Sequence, residues 1–155
     1  MTTRRQFLII AAGALAAPAR AQLPPNIAQI RKAAFERAIR DVVGAATLRS
    51  GKVKLDMPPL VDNGNAVPVT ITVDSPMTAA DHVRAIHLFT EKNPQPRVIG
   101  AQLGPRAGRA VLTTRARIAD TGQVIAIAQM SDGSFFSDRV EVVVTLSACL
   151  EEGLI

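Results

Sequence analysis

Beyond residue 52 the apolar residues stop recurring at helical spacing and begin to alternate. Val53 and Leu55 alternate with Lys52, Lys54 and Asp56 until Pro58-Pro59 breaks the run. After the turn Asp62-Asn63-Gly64-Asn65, Val67, Val69, Ile71 and Val73 share one parity, with Thr70 and Thr72 on the other. Side chains of a strand point alternately to its two faces, so this pattern builds half-buried strands. Asp74-Ser75-Pro76 precedes a further strand over 82–90, which Asn93-Pro94-Gln95-Pro96 closes because prolines cannot donate to a central ladder. Three more are expected at 97–103, 109–118 and 123–130, and Asp132-Gly133 turns the chain into a last one from Phe135 to Leu146. Short strands separated by turn signals describe a β-sandwich. The exception lies ahead of them. Asn26 is positioned as an N-cap, and Ile27, Ile30, Ala34, Ala38 and Val42 recur near helical spacing up to Gly44. The fold class is therefore mainly β: an immunoglobulin-like antiparallel β-sandwich preceded by one N-terminal helix.

At 155 residues the chain has the length of one domain, and its core must be aliphatic, because aromatics make up 3% and Trp and Tyr are absent. So small an aromatic share argues against a base-stacking nucleic-acid surface or an aromatic-caged ligand site. One cysteine leaves no internal disulfide and no zinc site built on several thiolates. Lacking Trp and a second Cys, the sandwich cannot have the core of antibody domains.

The first residues form an address. Arg4-Arg5-Gln6-Phe7-Leu8 leads into the apolar run Ile9, Ile10, Ala11, Ala12, Leu15, Ala16, which ends at the small-x-small pattern Ala19-Arg20-Ala21. This order describes a secretory signal over residues 1–21, and the apolar run is shorter than the roughly 20 residues of a spanning helix. The paired arginines resemble a twin-arginine signal, which exports folded proteins. Cleavage after Ala21 removes Arg4, Arg5 and Arg20 and no acid, lowering the formal charge from +5 to +2. A mature chain so nearly neutral gives little reason to invoke nucleic acid. No membrane contact is expected once the signal is gone.

Few residues offer chemistry. His82 and His87, the only histidines, lie five apart in an extended segment and are expected on opposite faces, where they cannot clamp one metal. No Ser-His-Asp order, phosphate loop or paired carboxylate has a defined context. Arg109, Arg115 and Arg117 share one parity, with Arg106 just before, as a solvated sheet face or a contact surface for an acidic partner or anion. Asp132 and Asp138 are assigned to turn chemistry. Cys149 stands just beyond the last strand, in Ser147-Ala148-Cys149-Leu150-Glu151-Glu152-Gly153-Leu154-Ile155. By position alone it is a buried inert thiol or a chemical handle.

Several stretches together resemble the Y subunit of the sulfur-oxidising (Sox) carrier complex, SoxY: Val73-Asp74-Ser75-Pro76-Met77-Thr78, Ile86-His87-Leu88, Glu91-Lys92-Asn93-Pro94 and Met130-Ser131-Asp132-Gly133-Ser134-Phe135. The resemblance covers most of the mature length, and the terminal cysteine and twin-arginine signal fit it. It implies a carrier, used in thiosulfate oxidation, that is not itself an enzyme. Sulfur intermediates are held covalently on a cysteine within a Gly-Gly-Cys-Gly-Gly arm while partner enzymes act on them, and the carrier is paired with a Z subunit. The matching position is Cys149. Here Ser147-Ala148 and Leu150-Glu151 replace the glycines, as in a paralogous branch whose arm reads Ala-Ala-Cys-Ile-Glu. Side chains at those four positions restrict the arm and thicken it, and Glu151 and Glu152 disfavour the thiolate.

The expected organisation is a signal peptide over 1–21, a helix plus sandwich over 22–146, and a cysteine arm over 147–155. The expected role is a periplasmic carrier holding sulfur-containing cargo on Cys149. Its expected partners are a Z-like sandwich subunit, in a heterodimer, and periplasmic sulfur-oxidising enzymes. Neither metal nor cofactor is expected beyond a covalent sulfur adduct. The rival is a scaffold or binding subunit of a related complex whose Cys149 is not loaded.

Overall fold

The computed structural model describes residues 26–146. The expected signal peptide and the cysteine arm lie outside the described residues. Asn26 caps helix α1 (Ile27–Val43), its Oδ1 accepting the Ala28 N–H at 3.1 Å. At the other end Gly44, at φ 62°, donates its N–H to Arg40 O. The left-handed conformation there suits glycine and stops the helix. The packed stripe runs through Phe35, Ala38, Ile39, Val42 and Val43. Ile27 and Ile30, expected on that stripe, are instead exposed (51% and 42%), so the first two turns contribute little to burial.

Among the described residues nine strands follow: β1 (Leu48–Arg49), β2 (Val53–Asp56), β3 (Leu60–Asn63), β4 (Val67–Val73), β5 (Val83–Thr90), β6 (Arg97–Gln102), β7 (Val111–Ala116), β8 (Gly122–Met130) and β9 (Phe135–Leu146). The larger sheet has the order β1-β9-β8-β5-β6, with β3 also on β9, and the smaller has the order β2-β4-β7. Between them lies an aliphatic core: Ile86, Leu88, Val124, Ala126 and Val142 face Leu55, Val69, Ile71 and Ala116. Three phenylalanines lie on the other side of the larger sheet, where Phe35 of α1 meets Phe89 and Phe135 with Ile125 and Ile127. Aliphatic side chains thus fill most of the space between the sheets, with Phe136 at its margin, and three of the rings sit under the helix.

The sandwich is mainly β with one leading helix, as expected, but it is not wholly antiparallel. Both β1 and β3 run parallel to β9, with Leu48 opposite Phe135 and Leu60 opposite Val143. The chain leaves the larger sheet after β1 through Gly51 (φ 107°), forms β2 in the smaller sheet, and returns through Pro58-Pro59 to β3. Such short edge pieces lack the alternation that marks a strand in sequence. The prolines that end one pattern begin the next pairing, because Pro59 still offers its carbonyl, which accepts the Val143 N–H at 2.8 Å. Among the described residues no helix is long and apolar enough to cross a membrane.

Candidate functional site

The site worth building is the place where β9 lets go of the chain. Val142 and Val144 anchor that strand in the core, while Glu141, Val143 and Thr145 face out. Its last residues are gripped from both sides. β3 runs beside them to the Asn63–Leu146 pair, and the Thr145 hydroxyl donates to Asp62 O at 3.2 Å. Opposite, the Val144 N–H donates to the Thr121 hydroxyl at 2.9 Å. Cys149, three positions past Leu146, lies outside the described residues.

Three loops gather at this end of the sandwich, over 64–66, 91–96 and 117–121, and one buried side chain ties two of them. Asn93 Nδ2 donates to Arg117 O and its Oδ1 accepts the Ala119 N–H, both at 2.8 Å. It satisfies a donor and an acceptor that no ladder serves, which is why an amide tolerates burial there. Between those two bonds the Ile118 N–H donates to Gly64 O at 2.8 Å. Arg117 is therefore held by its backbone while its exposed side chain reaches Asn65, Nη2 donating to Oδ1 at 3.4 Å. Asn65 is itself tied to Asn63, whose Oδ1 accepts its N–H at 2.9 Å. Lys92 pairs with Glu91 at 3.4 Å. Its stem lies over Gly122, where an added Cβ would stand 2.9 Å from Lys92 Cγ.

The residues singled out from sequence fare differently. Arg106, Arg109, Arg115 and Arg117 are all exposed, and among the described residues none is in an ion pair. Asp132 is a turn residue: its carboxylate accepts the Ser134 N–H and hydroxyl, and these bonds hold its pKa below the ordinary value. Asp138 is not. It stands within β9 and accepts the Leu55 N–H at 2.9 Å, serving a donor that edge strand β2 would otherwise leave unpaired. A groove of about 440 Å³, lined by Lys52, Lys54, Asp74 and Arg109 among others, lies at the opposite end of the sandwich. Asn93 is the structural clamp that sequence reading missed. Its motif was visible, but a polar residue before a proline reads as a turn, and only burial reveals the clamp.

The histidines do not keep the alternation expected of them. A bulge between Val83 and Ala85 resets the parity, so Val83 and Ile86 both enter the sandwich core. His82 lies before the strand, with Nδ1 3.1 Å from Thr78 O. His87 lies in β5 opposite Gly100, half-buried, with its Nδ1 enclosed and without a hydrogen-bond partner among the described residues. Burial first, and then the charge of Arg97, hold its pKa below the usual 6.5. The neutral ring is thus favoured in the folded state. Its contribution is whole above the unfolded value and is lost as pH falls below it, because the unfolded chain then binds the proton first. The urea midpoint is expected to fall between pH 7.5 and about 5, and His87→Gln should flatten that part of the profile. An unchanged profile would count against it. Among the described residues no three His, Cys, Asp or Glu gather in a group able to hold a metal.

These features define a helix-covered β-sandwich whose longest strand delivers the chain, from a braced end, toward a single cysteine. The family model of the sulfur oxidation protein SoxY matches residues 39–149, and the chain belongs to that family. Among solved structures it is similar to the sulfur carrier protein SoxY from Chlorobium limicola f thiosulfatophilum. That likeness has a TM-score of 0.61 and 25% identity, covering 74% of this chain and 98% of that one. It is also similar in fold to a superoxide reductase (neelaredoxin) from Ignicoccus hospitalis, with a TM-score of 0.54 and 21% identity over 61% of this chain and 80% of that one. A superoxide reductase from Nanoarchaeum equitans gives a TM-score of 0.52 and 12% identity, covering 62% and 100%. At such identities these two speak for the sandwich alone. No curated protein matches the sequence.

Proposed function

We propose that this protein is a periplasmic sulfur carrier, without catalysis of its own, that holds its cargo covalently on Cys149. The observation that carries the reading is the extent of the family match, which runs to residue 149, the one cysteine of the chain. The similar Chlorobium protein is described as a sulfur carrier. The braced end of β9 suits the role: a handle presented to other enzymes needs a fixed root. In this reading Arg4-Arg5 directs export of the folded protein by the twin-arginine route, so a partner without its own signal can travel with it. N-terminal sequencing of the periplasmic form should begin at Gln22.

The deciding experiment is the intact mass of the mature protein, purified from its native periplasm without reductant while the cells oxidise sulfur. A fraction heavier by whole sulfur or sulfonate increments, returned to the bare mass by reductant and mapped to Cys149, is the expected result. A free thiol under all conditions would replace the carrier with an unloaded scaffold subunit, the reading that the side chains flanking Cys149 favour. A Z-like sandwich subunit is the proposed partner. Co-purification is expected at micromolar concentrations or below, the order for an interface of standard size. A protein that stays monomeric beside that subunit in light scattering would remove the heterodimer.

A further inference from the structure

We infer that the free edge of β7 is a docking site for an acidic extended segment of a partner protein, added as a further strand to the smaller sheet. The inference does not depend on what Cys149 carries. The phase of the ladder tells which groups are free. Val73 donates its N–H to Ala110 O at 2.9 Å, and Thr72 stands opposite Val111. Bonded positions alternate in an antiparallel pair, so Leu112, Thr114 and Ala116 turn their backbone groups to β4 while Val111, Thr113 and Arg115 turn theirs away. β7 ends the smaller sheet, and no strand meets them. Past the strand the outward groups are already served, because Asn93 takes the Arg117 carbonyl and the Ala119 N–H. Before it, the Arg109 N–H donates to Ala107 O at 2.8 Å. Between these two stops the outward groups of Val111, Thr113 and Arg115 have no partner among the described residues. Such a row, about 17 Å long, is the template that strand addition uses.

The side chains select the occupant. Val111, Thr113 and Arg115 are exposed on the outer face of the smaller sheet, and Arg109 and Arg117, also exposed, continue their parity. Opposite them on β4 stand Thr72, Thr70 and Pro68, so that strand offers no carboxylate. Among the described residues none of the three arginines is in an ion pair. A second copy suits the edge poorly: antiparallel self-pairing about Thr113 sets Arg109 of each copy against Arg117 of the other, and like charges directly opposite destabilise a sheet. A strand bearing carboxylates on that face satisfies both the backbone row and the arginines. The groove that Arg109 and Val111 help to line also carries Lys52 and Lys54 against one acid, Asp74, and so extends the basic surface past the start of the edge.

The test uses the mature full-length protein and a peptide in which glutamate alternates with valine. A lysine–valine peptide and a glutamate peptide interrupted by prolines serve as controls. The first peptide is expected to bind and to slow amide hydrogen exchange at Val111, Thr113 and Arg115, leaving Leu112 and Thr114 as they were. Neither control should do so, since lysine opposes the arginines and proline cannot donate to a ladder. Arg115→Gln should weaken binding about two- to fivefold, the worth of one exposed ion pair, and added salt should weaken it further. Thr113→Pro removes the central outward N–H at an edge position, where proline is tolerated, and should abolish the protection. Should that variant fail to fold, the proline-bearing peptide removes the same bonds from the other side. Equal binding of the proline-bearing peptide would reduce the edge to a charged surface and overturn strand addition. A glutamate peptide that does not bind, or that leaves the three amides exchanging freely, would overturn it as well. Self-association of the free protein that Thr113→Pro disperses would assign the edge to a second copy instead.

Discussion

Cys149→Ser is expected to abolish every adduct while leaving the protein folded and paired. The substitution exchanges one sulfur for one oxygen, and the end of β9 is held by groups that do not involve it: β3 through the Asn63–Leu146 pair, and Thr121 through the Val144 N–H. Stability should therefore stay within about 0.5 kcal/mol of the parent, and the urea slope should be unchanged. What disappears is chemistry. A hydroxyl forms no persulfide or thiosulfonate, so the intact mass should be that of the bare chain whatever sulfur compound and partner enzymes are supplied. Removing residues 150–155 has a different signature: the thiol remains, and hand-over to partner enzymes should suffer more than loading. An adduct that survives Cys149→Ser would place the cargo elsewhere and end the carrier reading.

Alternation was legible wherever a strand buries one face and exposes the other, as in β4, where Val67, Val69, Ile71 and Val73 all enter the core. It failed where that condition fails. β1 and β3 are short edge pieces, and β5 carries a bulge that shifts its parity between Val83 and Ala85. The helix was recognised from Asn26 and its spacing, yet its buried stripe starts at Phe35, because only there does it meet the rings of Phe89 and Phe135. Asp138 was misread for a related reason. Its carboxylate serves a strand 83 positions away in sequence, a relation no local pattern reports. Chain order placed Cys149 just past the last strand, but the loops that brace that strand come from three distant segments. The arrangement around Arg117 was hidden until those segments were seen together.

Asn93→Leu is expected to be the most costly single change at the braced end. Leucine has a similar volume but no polar atoms, so the Arg117 carbonyl and the Ala119 N–H both lose a partner at a site where Asn93 is only 8% exposed. Unsatisfied buried polar groups cost about 1–3 kcal/mol each, with partial relief if water enters, which gives roughly 2–4 kcal/mol for the pair. That is a large share of the few kcal/mol that hold a domain of this size together. Asn93→Asp separates the two bonds: the carboxylate keeps the bond from the Ala119 N–H but sets an acceptor against the Arg117 carbonyl. It should also destabilise, and recover in part at low pH, where the protonated acid can donate. The urea midpoint at constant slope measures both changes. A midpoint that moves by less than about 0.5 kcal/mol would mean that the loops over 91–96 and 117–121 are held by other contacts.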